Sequence, residues 1–412
     1  MLKNILARSG IVVFFVMSFE VLIMISPFAF FFYSVFNPVF HWVDSYAATR
    51  WLTHFFLPHM ILPSTITLKM IRILGSVFFV LGSLTFVVCA LQVYLGKIFK
   101  RGIADKGLYR IIRHPQYFAL GIWSIGMVIL WSRFIVLVTL SLMLILYYYL
   151  AKDEERRMTR KYAQGYKDYM KRTGMFFPAA IEKRLTPKLK SNILKNALVT
   201  VSIPLIVIGA GFICRAITLD SIHVGVKDNI AVVSIMPQDS EFNELIINST
   251  ENNNLDFIDK EKDYLGYVMP VDYVMQGMLA DTGAEHHLFA RHQTINMITD
   301  WVLHPFQHLT RPPSDMMAKM HHVDPKMARR HHCSLNINRK NMDCSNCPYR
   351  RVIFIEVGSD SHNVFTGKNA FALNTNRIPA GFIDLDVRNG KILDEHKVGT
   401  KTAWGDVPTP EI

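Results

Sequence analysis

The sequence is poor in cysteine and in charged residues, and each shortage excludes a class of protein. Five cysteines in 412 residues are too few for a disulfide-dense scaffold, so any cysteine chemistry must be local. Only 19% of the residues are charged and 50% are hydrophobic, which excludes a disordered chain, a coiled coil and a collagen-like rod. Because the mean hydropathy of +0.21 is too high for an ordinary soluble protein, we expect a membrane part and a water-soluble part.

Five apolar runs stand out along the first half of the chain. A membrane-spanning helix needs about 20 apolar residues, and the first, second and fifth runs reach that length. The third and fourth are shorter and are separated only by Ser132 and Arg133, which favours a tight helical hairpin with Arg133 snorkelling at its tip. The first run is too long for a signal peptide, so we predict five membrane-spanning helices. The runs are residues 10–36, 73–95, 117–131, 134–150 and 197–219.

The distribution of charge predicts how these helices are oriented. Residues 1–9, 97–116 and 152–196 all carry excess Lys and Arg, thirteen against five acids in the last of them, and such segments stay in the cytoplasm. Residues 218–412 carry 19 Lys and Arg against 25 acids. We therefore predict an α-helical membrane domain over residues 1–217 with a cytoplasmic N-terminus, in a bacterial inner membrane. An extracytoplasmic α+β domain follows from residue 218. The bilayer is an expected partner, and nucleic acid is not, because the positive charge belongs to loops.

Two polar stretches flank the hairpin and carry residues suited to binding a cofactor. Arg113, His114 and Tyr117 precede it, and the Glu154–Glu155 pair follows it. The hairpin returns the chain to the same membrane face, so the two stretches can meet. Arg and His can hold a carboxylate through charge-assisted hydrogen bonds, and tyrosines can pack against a base or a sulfonium. Each stretch alone is more typical of an ordinary juxtamembrane helix, but the two together, in order across one hairpin, favour a binding site.

Residues 107–178 resemble the integral-membrane methyltransferases related to isoprenylcysteine carboxyl methyltransferase and phospholipid methyltransferases. The resemblance lies in RHPQY at 113–117, WSIG at 123–126, the glutamate pair, and the Y-x-x-G-Y-x-x-Y pattern at 162–169. Ala119 departs from the family, which often has glycine there. The resemblance implies an S-adenosylmethionine cofactor that binds from the cytosol and a lipophilic acceptor that enters from the bilayer. The cofactor-binding residues that it implies are Arg113, His114, Tyr117, Glu154, Glu155 and Tyr166.

The leading hypothesis is therefore an S-adenosylmethionine-dependent methyltransferase with a lipophilic or small carboxyl, thiol or amine acceptor. The main alternative is a degenerate methyltransferase scaffold that anchors a metal-binding or redox domain. A related branch with this hairpin contains sterol reductases, so the third hypothesis is a membrane reductase. No catalytic base is evident. Glu20 lies inside the first apolar run, where a carboxylate is either functional or a polar contact between helices.

The C-terminal domain mixes strand-like segments with helix and loop. Residues 230–235 and 352–357 are rich in β-branched side chains and predict strands. Asn389-Gly390 separates two further strand-like segments, 382–387 and 392–393, and predicts a hairpin. A helix is expected over residues 285–309 and a polar loop over residues 248–254. No family is identified for this domain.

Histidine and cysteine are concentrated in one part of that domain. Nine of the sixteen histidines fall between residues 286 and 332, and three cysteines follow. Such a set can bind zinc or another transition metal. Two of the cysteines can instead form a disulfide or a redox pair, or the residues can be ordinary ones. Covalent haem is not expected, because Pro348 follows the CxxC pair. The candidate ligands are His304, His308, His331, His332, Cys333, Cys344 and Cys347.

Overall fold

The computed structural model describes two compact units of the chain. The first lies within Thr65–Ala216, and the second combines residues 42–64 with described residues from Ile217 onward. The first apolar run with Glu20, the helix predicted at 285–309 and all seven metal-ligand candidates lie outside the described residues. The described residues are 42–59, 61–99, 102–185, 191–270, 348–358, 365–367 and 369–397.

The first unit is helical, as its apolar runs predict. Three described helices are long and apolar enough to cross a membrane, and α2 is a shorter apolar helix of 16 residues. The second to fifth apolar runs are thus confirmed as helices, whereas the predicted number of five crossings is not. The helices are α1 Ile66–Ile98, α2 Pro115–Leu130, α3 Phe134–Arg172, α4 Ala179–Leu185 and α5 Asn192–Ser221.

Glycines allow α1 and α2 to pack with their backbones in contact. A Cβ atom placed on Gly82 of α1 would lie 2.5 Å from the backbone nitrogen of Trp123 in α2. A Cβ placed on Gly126 of α2 would lie 2.5 Å from the backbone nitrogen of Phe79. Close approach through small residues is the usual way for helices to associate in lipid, where burial of apolar surface gives no driving force between them.

Residues 131–133 join α2 to α3 and form the tip of the predicted hairpin. Arg133 does not snorkel into water as predicted, because its side chain is 1% exposed. Its guanidinium carbon lies 5.9 Å from the centre of the Trp131 ring. Arg133 is the residue immediately before α3, so its side chain lies at the junction of α2 and α3, where it is buried near the Trp131 indole.

The long helix α3 has two parts. Ala163 has φ of 43° and ψ of −115°, which breaks the helix after the Glu154–Glu155 pair. A non-glycine residue at positive φ costs free energy, so the surrounding structure must hold it there. The residues after the break carry Tyr166 and Tyr169, whose side chains are buried.

The second unit contains a six-stranded sheet with its strands in sequence order. Strands β2 and β3 are parallel and are joined through α6, and all other neighbours are antiparallel. The strands predicted at 230–235 and 352–357 and the Asn-Gly hairpin are confirmed. The elements are β1 Val224–Lys227, β2 Ile230–Ser234, α6 Asn243–Asn252, β3 Asp263–Pro270, β4 Tyr349–Gly358, β5 Asn376–Asp386 and β6 Lys391–Lys397.

Helix α6 corrects the polar loop predicted at 248–254. The sequence there is polar, but Ile246, Ile247 and Thr250 form a buried face while Asn248 and Asn252 are exposed. A parallel β2–β3 pair needs a crossover connection, and a short amphipathic helix packed on the sheet provides it. The amphipathic pattern is not evident in residues 248–254 alone, because the apolar Ile246 and Ile247 precede this polar segment.

Residues 42–64 belong to the sheet unit although they are distant from it in sequence. Ile61 packs into the core on one face of the sheet, where β4 contributes Ile353 and Ile355. The backbone nitrogen of Leu62 donates a hydrogen bond of 2.8 Å to the carbonyl of Ile235. α6 covers the opposite face. The sheet therefore has a hydrophobic core on both faces.

Candidate cofactor site

The two polar stretches that flank the hairpin meet in the structure, as the sequence predicts. Arg113 donates a backbone hydrogen bond of 2.8 Å to the carbonyl of Gly174, and His114 donates one of 3.1 Å to the carbonyl of Met175. Ile112 and Gly174 form a parallel β-bridge. Pro115 then opens α2, since proline fits the first turn of a helix. These bonds fix the backbone of the motif against the residues that follow α3.

The Arg113 side chain points into the protein. Its Nε lies 2.5 Å from Oε1 of Glu155, and its Nη1 donates to the backbone carbonyls of Met170, at 3.2 Å, and Thr173. The side chain is only 8% exposed and that of Glu155 only 11%. Arg113 and Glu155 therefore form a buried, charge-assisted pair whose guanidinium is also bonded to the backbone.

His114 lies between two carboxylates. Its Nδ1 is 3.6 Å from Oε2 of Glu154, and its Nε2 is 3.5 Å from Oε1 of Glu155. The histidine is buried, and among the described residues its Nε2 makes no well-formed hydrogen bond beyond this long contact with Glu155. Glu154 is 46% exposed, so its carboxylate is accessible. A buried ring nitrogen with only a long polar contact, beside an accessible carboxylate, is an arrangement expected of a ligand site.

An aromatic stack leads from His114 into the apolar part of the hairpin. The ring centres of His114 and Tyr117 are 5.5 Å apart, with planes 8° from parallel. Tyr117 in turn stacks on Tyr147 of α3 at 5.1 Å and 10°. The Tyr117 hydroxyl donates a 3.4 Å hydrogen bond to Oε2 of Glu154. Tyr117 thus contacts both the charged cluster and the apolar interior.

Tyr166 is placed near the cluster through the break in α3. Its ring contacts that of Tyr169 at 5.6 Å, and the Tyr169 hydroxyl donates a 2.6 Å hydrogen bond to the carbonyl of Tyr109. Burial, and to a smaller extent the nearby Cys89 and Glu154, raise the pKa of the Tyr109 hydroxyl above its ordinary range. This hydroxyl is therefore neutral at physiological pH and can act only as a hydrogen-bonding group.

Five of the six residues predicted for the cofactor form one contact network, and they have different surroundings. Arg113 and Glu155 are buried against each other, whereas Glu154 is accessible and contacts the side chains of His114 and Tyr117. Tyr166, the sixth, is buried and its ring contacts Tyr169. Ala119 is buried in α2.

The sequence did not predict the Tyr147 ring or the backbone carbonyls of Met170 and Thr173 as parts of this site. Tyr147 lies inside an apolar run, where tyrosine is as typical of an interfacial residue as of a site residue. The carbonyls of Met170 and Thr173 carry no side-chain signal at all. The predicted hairpin could have identified Tyr147. This residue precedes Glu154 by about two helical turns, so it lies on the same side of the helix that faces Tyr117.

In the part of the chain that the structure describes, no group of three or more His, Cys, Asp or Glu side chains is arranged to hold a metal ion. The metal-binding prediction concerns residues outside the described ranges and stays a prediction.

Of three comparisons with known proteins, one finds a match to this chain. No curated protein and no solved structure matches the chain. A protein-family model does match, over residues 64–165, a segment that includes α1, α2 and the part of α3 up to Gly165, with the glutamate pair inside it. It leaves the sheet unit unmatched. The family is described as phospholipid methyltransferase, so the predicted resemblance to membrane methyltransferases is confirmed for this quarter of the chain.

Proposed function

We propose that the helical unit is an S-adenosylmethionine-dependent methyltransferase acting on a lipophilic or small carboxyl, thiol or amine acceptor. One observation carries the proposal: the accessible Glu154 meets His114 and Tyr117 within the segment that matches the methyltransferase family. The cofactor would supply a methyl group that its sulfonium already activates. The chain then has to bind and orient the cofactor and exclude water.

Glu154 is the accessible carboxylate of the cluster, and the side chains of His114 and Tyr117 contact it. Glu154 can accept hydrogen bonds from the cofactor's hydroxyl or amino groups. His114 has a ring nitrogen available for a polar contact, and the Tyr117 ring offers a flat surface beside it. The apolar faces of the hairpin give a lipophilic acceptor a route from the bilayer.

Binding of S-adenosylhomocysteine, measured by calorimetry on the full chain in detergent, tests the proposal. His114→Ala and Glu154→Gln should each weaken binding by about 1–3 kcal/mol, the usual cost of a polar group left without its partner. Asp168→Asn is a matched control, because this carboxylate lies on the same helix and is bonded to Lys171. If the wild-type chain binds neither S-adenosylmethionine nor S-adenosylhomocysteine, the inert-anchor alternative replaces the proposal.

The proposed topology places the sheet unit outside the cytoplasm. Residues 42–64 and the sheet form one unit, and the Arg50 guanidinium donates a 2.8 Å hydrogen bond to the carbonyl of Asn374. One folded unit cannot lie on both sides of a bilayer, so both parts share a face. Residues 218–412 carry more acidic residues than Lys and Arg, unlike the three segments expected in the cytoplasm. Alkaline phosphatase fused after Ile412 should be active, and a fluorescent cytoplasmic reporter at the same place would contradict this topology.

We also propose that the outer domain binds a metal ion. It rests on the density of candidate ligands in the sequence, where nine histidines fall between residues 286 and 332 and three cysteines follow. Elemental analysis of the full chain should find near-stoichiometric zinc or another transition metal, which a chelator removes. A metal-free chain without free thiols at Cys344 and Cys347 would favour the disulfide.

A further inference from the structure

Arg113 differs from the residues proposed to touch the cofactor in how its side chain is bonded. Nε contacts Glu155 and Nη1 contacts two backbone carbonyls, whereas Nε2 of the equally buried His114 makes only a 3.5 Å contact with Glu155. A guanidinium has five N–H donors in a fixed plane, and the bonds to Glu155, Met170 and Thr173 orient that plane within the protein. This differs from the expectation that Arg113 holds the carboxylate of the cofactor.

The bonds of Arg113 connect three parts of the site. Its backbone is bonded to Gly174, and its side chain links Glu155 of α3 to the end of that helix. His114 is the next residue and is bonded through its own backbone nitrogen to Met175. Its Nε2 faces the same Glu155 oxygen that Arg113 contacts. Any displacement of Arg113 would therefore move both Glu155 and His114.

We infer that Arg113 is a positioning residue, which holds Glu155 and the 173–175 segment so that His114 is correctly placed, and that it does not bind the cofactor's carboxylate. This inference rests on the proposed function. It assigns the charged pair Arg113–Glu155 to the framework of the site and leaves His114, Tyr117 and Glu154 as the residues that contact the ligand.

A comparison of two ligands tests the inference. S-adenosylhomocysteine and its decarboxylated analogue, which lacks only the carboxylate, are titrated into the full chain in detergent. Arg113→Ala should weaken the binding of both ligands by the same factor, about tenfold. Arg113→Lys should recover part of this loss for both, because its ammonium can still pair with Glu155. Selective loss of S-adenosylhomocysteine binding in either variant would show that Arg113 holds the carboxylate, and would overturn the inference.

A destabilised control separates positioning from general stability. Gly126→Ala disturbs the α1–α2 contact away from the site and should lower the thermal stability without changing either affinity below the unfolding temperature. If Arg113→Ala behaves in the same way, the residue is merely structural and the inference is wrong. If Arg113→Ala does not fold, the two affinities of Arg113→Lys decide alone. If the wild-type chain binds neither ligand, the proposed function fails and the inference falls with it.

Discussion

Arg351 and Asp384 form a two-point ion pair between β4 and β5. Nε of Arg351 lies 2.7 Å from Oδ1 of Asp384, and Nη2 lies 2.8 Å from Oδ2. Both side chains are buried, and the guanidinium carbon lies 4.2 Å from the centre of the Phe382 ring. On the neighbouring position of β4, Arg350 makes a similar buried pair with Asp239. Two fully desolvated ion pairs thus occupy adjacent positions on one strand.

Asp384→Ala should destabilise the sheet unit strongly. Removal of one partner from a buried ion pair leaves the other charge desolvated, at a cost of about 3–5 kcal/mol. Chemical denaturation of the full chain in detergent, followed by circular dichroism, measures the change in free energy of unfolding. Lys262→Ala is the control: its pair with Glu356 joins the neighbouring strands but is exposed, and its loss should leave the midpoint almost unchanged. Equal effects of the two variants would contradict this account.

Gly82→Ala should weaken the packing of α1 against α2. The added Cβ would lie 2.5 Å from backbone and cannot be accommodated unless the helices separate. Gly96→Ala offers a matched control in the same helix, because a Cβ there would meet no atom within 4 Å. Thermal unfolding in detergent should show a lower midpoint for Gly82→Ala and an unchanged or slightly higher one for Gly96→Ala, since alanine favours helix. A stable Gly82→Ala variant would refute the tight contact.

The sequence predicted the elements of this protein better than their contacts. Apolar length identified α1, α2, α3 and α5 as helices, because long apolar runs are recognised from composition alone. Alternation and the Asn-Gly turn identified β2, β4 and the last hairpin. α6 was missed, since a short polar helix shows its apolar face only when the sheet beneath it is known. The burial of Arg133 was missed for the same reason, because it depends on the Trp131 ring.

For the site, the sequence identified the residue types and the structure separated their roles. RHP and the glutamate pair were recognisable as motifs, and their meeting followed from the hairpin. Glu155 is buried beside Arg113, whereas Glu154 is accessible. The sequence could not predict this difference, because adjacent residues on a helix point about 100° apart and the sequence pattern does not show which of the two faces inward. The bonds from Arg113 to backbone carbonyls have no sequence signal either.

Arg388→Ala should reduce the stability of the sheet unit near neutral pH more than at low pH. Hydrogen bonds donated by Arg388 hold the pKa of Asp386 below its usual range. A carboxylate with a depressed folded-state pKa stabilises the fold above its unfolded pKa of about 3.9, and this contribution disappears as the pH falls through the folded-state pKa. The urea midpoints of both proteins, measured between pH 7 and 3, should therefore converge. Arg388→Lys keeps a cation and should lie between them; a difference that grows in acid would contradict the pairing.

Tyr147→Ala should weaken cofactor binding although Tyr147 lies beyond the charged cluster. Its ring supports that of Tyr117, which bonds to Glu154, and a stacked aromatic pair contributes about 0.5–1.5 kcal/mol beyond its buried area. Calorimetry with S-adenosylhomocysteine should show a loss of about 2- to 10-fold for Tyr147→Ala, since 1.4 kcal/mol corresponds to tenfold. Tyr147→Phe retains the ring and should bind normally.

A neighbouring tyrosine makes the Tyr147 experiment specific. Tyr149 lies two residues further along α3 and its hydroxyl forms a 2.8 Å hydrogen bond with Thr200 of α5. Tyr149→Ala therefore removes a ring of the same size from the same helix without touching Tyr117, and should lower thermal stability while leaving the affinity unchanged. If Tyr147→Phe is as damaging as Tyr147→Ala, the hydroxyl rather than the stacked ring supports the site. If Tyr149→Ala weakens binding equally, the loss arises from the packing of α3 as a whole.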